Sequence, residues 1–290
     1  MDAALAMNRR PGRLWAFLQF PLTRIVLATL VLAVAIGAIQ VGSKAVGIAP
    51  HTIAGVLVAC LIVVAVLATY AGFVRVIERR RVGELGAKGA ASEFASGFVV
   101  GAFLFALTML VLWSIGDVEI GLAGGWQAVG YPLLDAVIAA VTEETLMRGV
   151  LFRIVEEGLG SWNALALSAA VFGALHAFNP GATTTSSIAI ALEAGVLLAA
   201  VFMFTRRLWM VIGLHAAWNF TEGGVFGASV SGTDARGMFA SRFNGPDALT
   251  GGAFGPEASI IAVLICLFAA AAFIRLAQRR GHIVPPFWSR

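Results

Sequence analysis

Ile53–Val74, IAGVLVACLIVVAVLATYAGFV, carries no charged residue over 22 positions. An α-helix rises about 1.5 Å per residue, so a run of this length crosses the roughly 30 Å hydrocarbon core of a bilayer. Working outward, Ile25–Val41 precedes it, and Gly97–Ile115, Tyr131–Phe152, Trp162–Phe178, Ser187–Phe204, Trp209–Phe220 and Ser259–Ala277 follow. Trp209–Phe220 is short by itself and is expected to extend into Thr221–Phe226. In lipid every backbone N–H and C=O must be paired within the protein. Continuous runs of helix length, rather than alternating segments of about ten residues, select helices over a barrel. The expected fold is all-α, a polytopic membrane helical bundle of about eight transmembrane helices.

The composition agrees. Of the 290 residues 59% are hydrophobic and 12% charged, against about 45–50% and 25% in a soluble domain, and mean hydropathy is +0.89. Cys60 and Cys266 sit inside apolar runs, so a disulfide scaffold or cysteine zinc cluster is excluded and both read as small apolar filler. The formal charge of +4 does not point to nucleic acid, because the basic residues lie where membrane topology puts them. Arg9, Arg10, Arg13 and Arg24 precede the first run. Arg75, Arg79, Arg80, Arg81 and Lys88 separate the second from the third, and Arg153 follows the fourth. Arg206 and Arg207 join the sixth to the seventh, and Arg275, Arg279, Arg280 and Arg290 end the chain. Only Lys44, Arg236 and Arg242 fall on the other side. With eight spans the positive-inside rule makes both termini cytoplasmic. Trp15, Trp113, Trp162 and Trp209 mark span ends, where indoles favour the headgroup layer.

Three parts follow from this reading: N-terminal helices over residues 1–129, a polar-bearing core over 130–222, and an outer loop with the last helix over 223–290. Ala33-Val34-Ala35 offers small residues for signal cleavage, but the apolar run continues to Val41, which favours a retained anchor. Glu78–Phe94 is a charged cytoplasmic connector. Gly223–Glu257 is an outer loop rich in turn signals, either a lid or a mobile connection. No repeat of fixed period is visible.

Charged and His residues at membrane depth cost about 2.5–3.5 kcal/mol for Arg, Lys or Asp, so they mark function by default. Thr142-Glu143-Glu144-Thr145-Leu146-Met147-Arg148 lies in the fourth run. Phe172-Gly-Ala-Leu-His176, with Asn179 beyond, lies in the fifth, and His215-Ala-Ala-Trp-Asn219, with Glu222 beyond, in the seventh. Glu144 and Arg148, four apart, share a helix face and can pair. Glu143 is rotated about 100° from Glu144 and can face another chamber without that partner. An unpaired buried carboxylate is suited to acid or base work. From the cytoplasmic ends of their spans Glu143 lies about 15 Å deep, His176 about 21 Å and His215 about 10 Å, so all three can line one chamber. Their chemistry suits either a zinc site or acid–base activation of water, and each polar cluster alone also suits interhelical hydrogen bonding. Glu193, in the sixth run, reads equally as a rim residue near the outer end or as part of a substrate channel.

Glu143-Glu144-x-x-x-Arg148, Phe172-x-x-x-His176 and His215-x-x-x-Asn219, in this order on separate spans, resemble the CAAX protease and bacteriocin-processing (CPBP, or Abi) family, the type II CAAX prenyl endopeptidases. The resemblance covers about residues 130–222. It implies an intramembrane endopeptidase acting on a membrane-tethered, CAAX-like or otherwise lipidated peptide or protein at the lipid bilayer. By the same resemblance Glu143 would activate water with help from His176, His215 and Asn219 would steady the oxyanion or position the water, and Glu144 and Arg148 would support them. The family is described both as a metalloprotease and as a glutamate-type enzyme. The former would make Glu143, His176 and His215 the ligands of a Zn ion. A non-catalytic scaffold or bacteriocin-immunity protein retaining the fold is the competing reading. A proton-coupled transporter is disfavoured, because no inverted repeat is visible. Compact size and short cytoplasmic ends fit a multi-pass protein of a bacterial inner membrane.

Overall fold

Short polar residues and one proline set several of the helix starts that hydropathy leads one to expect. The computed structural model describes residues 12–290, so the basic residues Arg9 and Arg10 lie outside the described residues. After a short α1 (Arg13–Leu18), α2 (Pro21–Ala45) begins with Pro21, where a missing N–H costs no helix bond. The helix α3 (Ile53–Val76) is capped by Thr52, whose Oγ1 accepts from the Gly55 N–H at 3.0 Å. Then come α4 (Ala90–Ser114), β1 (Val118–Leu122), α5 (Gly130–Glu144), α6 (Arg153–His176), α7 (Thr184–Ile190) and α8 (Val196–Thr205). The chain closes with α9 (Leu208–Asn219), β2 (Phe239–Phe243), α10 (Asp247–Thr250) and α11 (Ile260–Arg279). Three π-helical stretches intervene: Thr145–Phe152 joins α5 to α6, Ala191–Gly195 joins α7 to α8, and Phe220–Val225 continues α9.

The protein is all-α helical apart from one small sheet, and six helical stretches among the described residues are long and apolar enough to cross a membrane. One of these, Gly125–His176, is 52 residues long. It is broken at Gly160, whose φ of 79° and ψ of 168° are not helical. A Cβ at that position would stand 2.7 Å from the Pro286 nitrogen, so both the backbone angle and the space demand glycine. Tyr131–Phe152 and Trp162–Phe178 therefore fall on opposite sides of a kink. The seventh run is not among the six, since His215, Asn219 and Glu222 dilute the hydropathy of α9 and its π-helical extension. The sheet pairs β1 with β2 antiparallel, from Val118 opposite Phe243 to Leu122 opposite Phe239. Strands of five residues leave too little alternation to stand out in sequence.

At the centre stands α9, with Leu208 and every residue from Met210 to Trp218 buried. It lies against α4 with almost no gap: a Cβ on Gly97 would meet the Met210 carbonyl at 2.0 Å, and one on Gly101 the Leu214 carbonyl at 2.2 Å. Small residues at i and i+4 let backbones approach this closely, and dispersion between the helices replaces the hydrophobic drive that lipid cannot supply.

The two ends of the bundle differ in charge. At the arginine-rich end Arg153 meets Glu78 at 2.6 Å, Arg80 meets Glu84 at 2.6 Å and Arg24 meets Glu78 at 3.5 Å, while Arg24 also pairs with Glu157 and Arg206 with Glu156. These contacts tie the start of α2, the end of α3, the α6 turn and the α8–α9 turn into one charged layer. Within it Tyr70 donates to Glu84. Burial works to raise the Glu84 carboxyl, but hydrogen bonds from Arg80 and Tyr70 outweigh it and hold the group below its ordinary value. At the opposite, loop-bearing end His51 stacks on Tyr131 at 4.6 Å and meets Asp135 at 3.2 Å. The Gly223–Glu257 segment is held down there. Glu257 accepts from the Ser231 N–H at 2.7 Å and its hydroxyl at 2.8 Å, and the Gly232 N–H donates to the Phe254 carbonyl at 2.7 Å.

Candidate active site

The expected pairing within the first polar cluster forms on one helix face. Arg148 Nη1 donates to Glu144 Oε1 at 2.9 Å, with both side chains fully buried. Its Nη2 donates to the Gly195 carbonyl at 3.1 Å and its guanidinium lies 5.0 Å from the centre of the Phe172 ring. Glu144 Oε1 also accepts from His215 Nδ1 at 2.8 Å. A carboxylate that accepts at Nδ1 leaves Nε2 of the imidazole free to act elsewhere, and Nε2 faces Glu143 Oε2 across 3.9 Å. Thus Glu144, tethered by Arg148 from its own helix, fixes the ring of His215 from α9.

Glu143, one residue earlier, points away from this tether into a cavity of about 690 Å³. Its Oε2 is buried and makes no hydrogen bond. His176, at the end of α6, lines the same cavity, and its Nδ1 donates to the Phe172 carbonyl at 2.8 Å. A carbonyl can only accept, so Nδ1 carries the proton and Nε2 is left open. The two His rings flank Phe172, whose centre is 4.6 Å from that of His176 and 6.1 Å from that of His215. Asn219, one helical turn beyond His215, and Asn179 also line the cavity. The cavity therefore gathers Glu143, His176, His215 and Asn219, while Glu144 and Arg148 stand behind it.

Close helix contacts explain the placement. A Cβ on Gly173 would strike the Ser187 carbonyl at 2.3 Å and one on Gly195 the Ala169 Cα at 2.8 Å, so α6 sits directly on α7 and its π-helical continuation. All three π-helical stretches lie in or beside polar clusters: one begins just after Glu144, one contains Glu193 and one begins just after Asn219. Such bulges shift side chains by part of a turn and recur at functional sites.

Two further acids are drawn in. Glu193 is no exposed rim residue: it is 2% exposed and lines the cavity. Cys266, expected as inert filler, donates its Sγ–H to Glu193 at 3.5 Å. Glu257, from the loop, also lines the cavity, and sequence reasoning passed over it. Burial pushes the Glu257 carboxyl up, against the pull of Ser231 and the nearby His176. The fully buried Glu222 makes no hydrogen bond at either carboxyl oxygen. The signal that could have found Glu257 is an acid between two helix-start residues, Pro256 and Ser259, directly before an apolar run.

A metal would need several ligands converging on one point. Among the described residues no three His, Cys, Asp or Glu side chains are so arranged. His176 is turned by its bond to Phe172 and His215 by its bond to Glu144, so Glu143, His176 and His215 do not fit a Zn site as they stand. What the arrangement offers is a carboxylate with an uncommitted oxygen, two imidazoles with open Nε2 atoms and a free carboxamide, facing one cavity.

Residues 125–221 match the family described as Type II CAAX prenyl endopeptidase Rce1-like. The match takes in all three polar motifs, from Glu143 to Asn219. No curated protein and no solved structure matches the chain. Residues 125–221 are thus similar to a family of proteases acting on protein, and the six helical stretches long and apolar enough to cross a membrane suggest an integral multi-pass membrane protein.

Proposed function

We propose that this Rce1-like domain, with residues 130–222 as its catalytic core, is an intramembrane endopeptidase. It hydrolyses a peptide bond of a membrane-tethered peptide or protein by water activated at Glu143. The observation that carries the reading is the buried, unbonded Glu143 Oε2 facing His215 Nε2 across 3.9 Å at the cavity wall. Water held by Glu143 gives up a proton to the carboxylate as its oxygen adds to the scissile carbonyl. The oxyanion that forms needs donors fixed in advance. As an imidazolium between two carboxylates, His215 donates from Nδ1 to Glu144 and from Nε2 to that oxygen, with the Asn219 carboxamide beside it. Collapse of the intermediate breaks the C–N bond, and the proton taken up by Glu143 passes to the leaving amine. His176, through its open Nε2, assists in orienting the water. Glu144 and Arg148 position His215 without touching substrate.

The same proposal includes eight membrane crossings with both termini cytoplasmic, in a bacterial inner membrane. The break at Gly160, the burial of α9 and the gathering of arginines at one end of the bundle support it.

His215→Ala and Asn219→Ala are expected to lower kcat with little change in KM, because the lost contacts are made in the transition state. Purified variants assayed against lipidated and unlipidated peptides test this. A rise in KM at unchanged kcat would assign both residues to substrate binding instead. Full activity in both would remove them from the site.

A further inference from the structure

The cavity is one-sided. Its lining runs from Leu198 and Leu214 deep in the bundle to His51, Tyr131, Asp135 and Arg236 at the loop-bearing end. Toward the arginine-rich end it is stopped by the fully buried Glu144–Arg148 pair, with Arg148 bonded across to the Gly195 carbonyl. Beyond that plug Val150 and Phe152 are buried. After them comes the charged layer of Arg24, Glu78, Arg80, Glu84 and Arg153. The end to which the cavity leads carries only Lys44, Arg236 and Arg242 as basic residues among the described ones. The remaining Lys and Arg among the described residues, apart from the buried Arg148, gather at or near the opposite end. Loops that remain cytoplasmic carry the Lys and Arg excess.

We propose that the cavity opens on the non-cytoplasmic face, so that its substrate is a peptide segment presented on that side: a translocated, membrane-anchored peptide whose scissile bond lies at or just beneath the outer surface. The claim about substrate rests on the hydrolytic reading above, whereas the claim about access does not. Two features fit a peptide arriving from this side. The segment from Val230 to Arg236 forms part of the wall, so the outer loop touches whatever enters. The stacked His51 and Tyr131 and the adjoining Asp135 make a polar and aromatic mouth at the level where a chain leaves the headgroups.

The test uses the full chain with Cys60, which is exposed, replaced by Ala, and Cys266, which is buried, kept. Single cysteines are introduced as His51→Cys at the mouth, Ala139→Cys on the cavity wall and Lys88→Cys at the arginine-rich end. Asp234→Cys serves as a second mouth position should His51→Cys fail to fold. The probe is a small membrane-impermeant thiol reagent applied to intact spheroplasts and then to permeabilised ones. The expected result is reaction of the mouth and wall cysteines in intact spheroplasts, with Lys88→Cys reacting only after permeabilisation. Reaction of Lys88→Cys alone in intact spheroplasts would overturn the orientation. A wall cysteine that reacts only after permeabilisation, or not at all, would overturn access from that face. Peptidase activity does not enter these readouts, so an inactive protein would strike the hydrolytic reading and leave this test intact.

Discussion

Glu143 and Glu144 are adjacent in sequence and opposite in situation. Glu144 is wholly enclosed and its Oε1 is held by Arg148 and His215, whereas Glu143 lines the cavity, with its Oε2 free of any hydrogen bond. Removing one member of a buried ion pair strands the other, at a cost of about 3–5 kcal/mol. Glu144→Ala and Arg148→Ala are therefore expected to lower the thermal unfolding temperature in detergent sharply, whereas Glu143→Gln should leave it near wild type. Glu84 gives a pH prediction. Its folded carboxyl lies below the ordinary value, so the stability it adds is present above the unfolded pKa of about 4.3 and is lost as pH falls through the folded value. Unfolding temperatures measured from neutral to acid pH should fall less steeply in Glu84→Gln, starting from a lower plateau. The division between Glu143 and Glu144 was legible because a helix turns about 100° per residue. Glu257 was not, because it reaches the cavity from a loop whose position no periodicity encodes.

At the scale of elements, the seam between α4 and α9 sets where His215 stands. Gly97 and Gly101 have backbone carbonyls where a Cβ would go, and a carbonyl cannot move aside as a flexible side-chain end can. Overpacking of a tight contact costs typically 1–3 kcal/mol. Gly101→Val is expected to lower stability by at least that much, and to reduce the activity of whatever fraction folds by shifting Leu214 and its neighbour His215. Thermal unfolding read beside specific activity checks this. Normal values of both would show that the seam is loose. The helices themselves were legible from length and hydropathy. The π-helical stretches were not, since an extra residue in a turn leaves the apolar pattern almost unaltered. The β1–β2 pair escaped for lack of length.

For the whole molecule, the asymmetry of charge is the organising feature: one end is a layer of paired arginines and glutamates, the other a cavity mouth under a hydrogen-bonded loop. Eight apolar runs and the distribution of Lys and Arg were readable in the sequence. That the polar clusters share one cavity was readable only as depth along separate helices. That the cavity leads to the arginine-poor end was not readable, because it depends on which side of each helix is plugged. The most direct test of this arrangement as a hydrolytic site is cleavage of membrane-anchored peptides by detergent-purified wild type beside Glu143→Gln, with unfolding temperatures recorded for both. Loss of a general base costs typically about 10²–10⁴-fold in rate, so cleavage should be seen with wild type and fall by that order in the variant at an unchanged unfolding temperature. Undiminished cleavage by a folded Glu143→Gln protein would contradict the assignment.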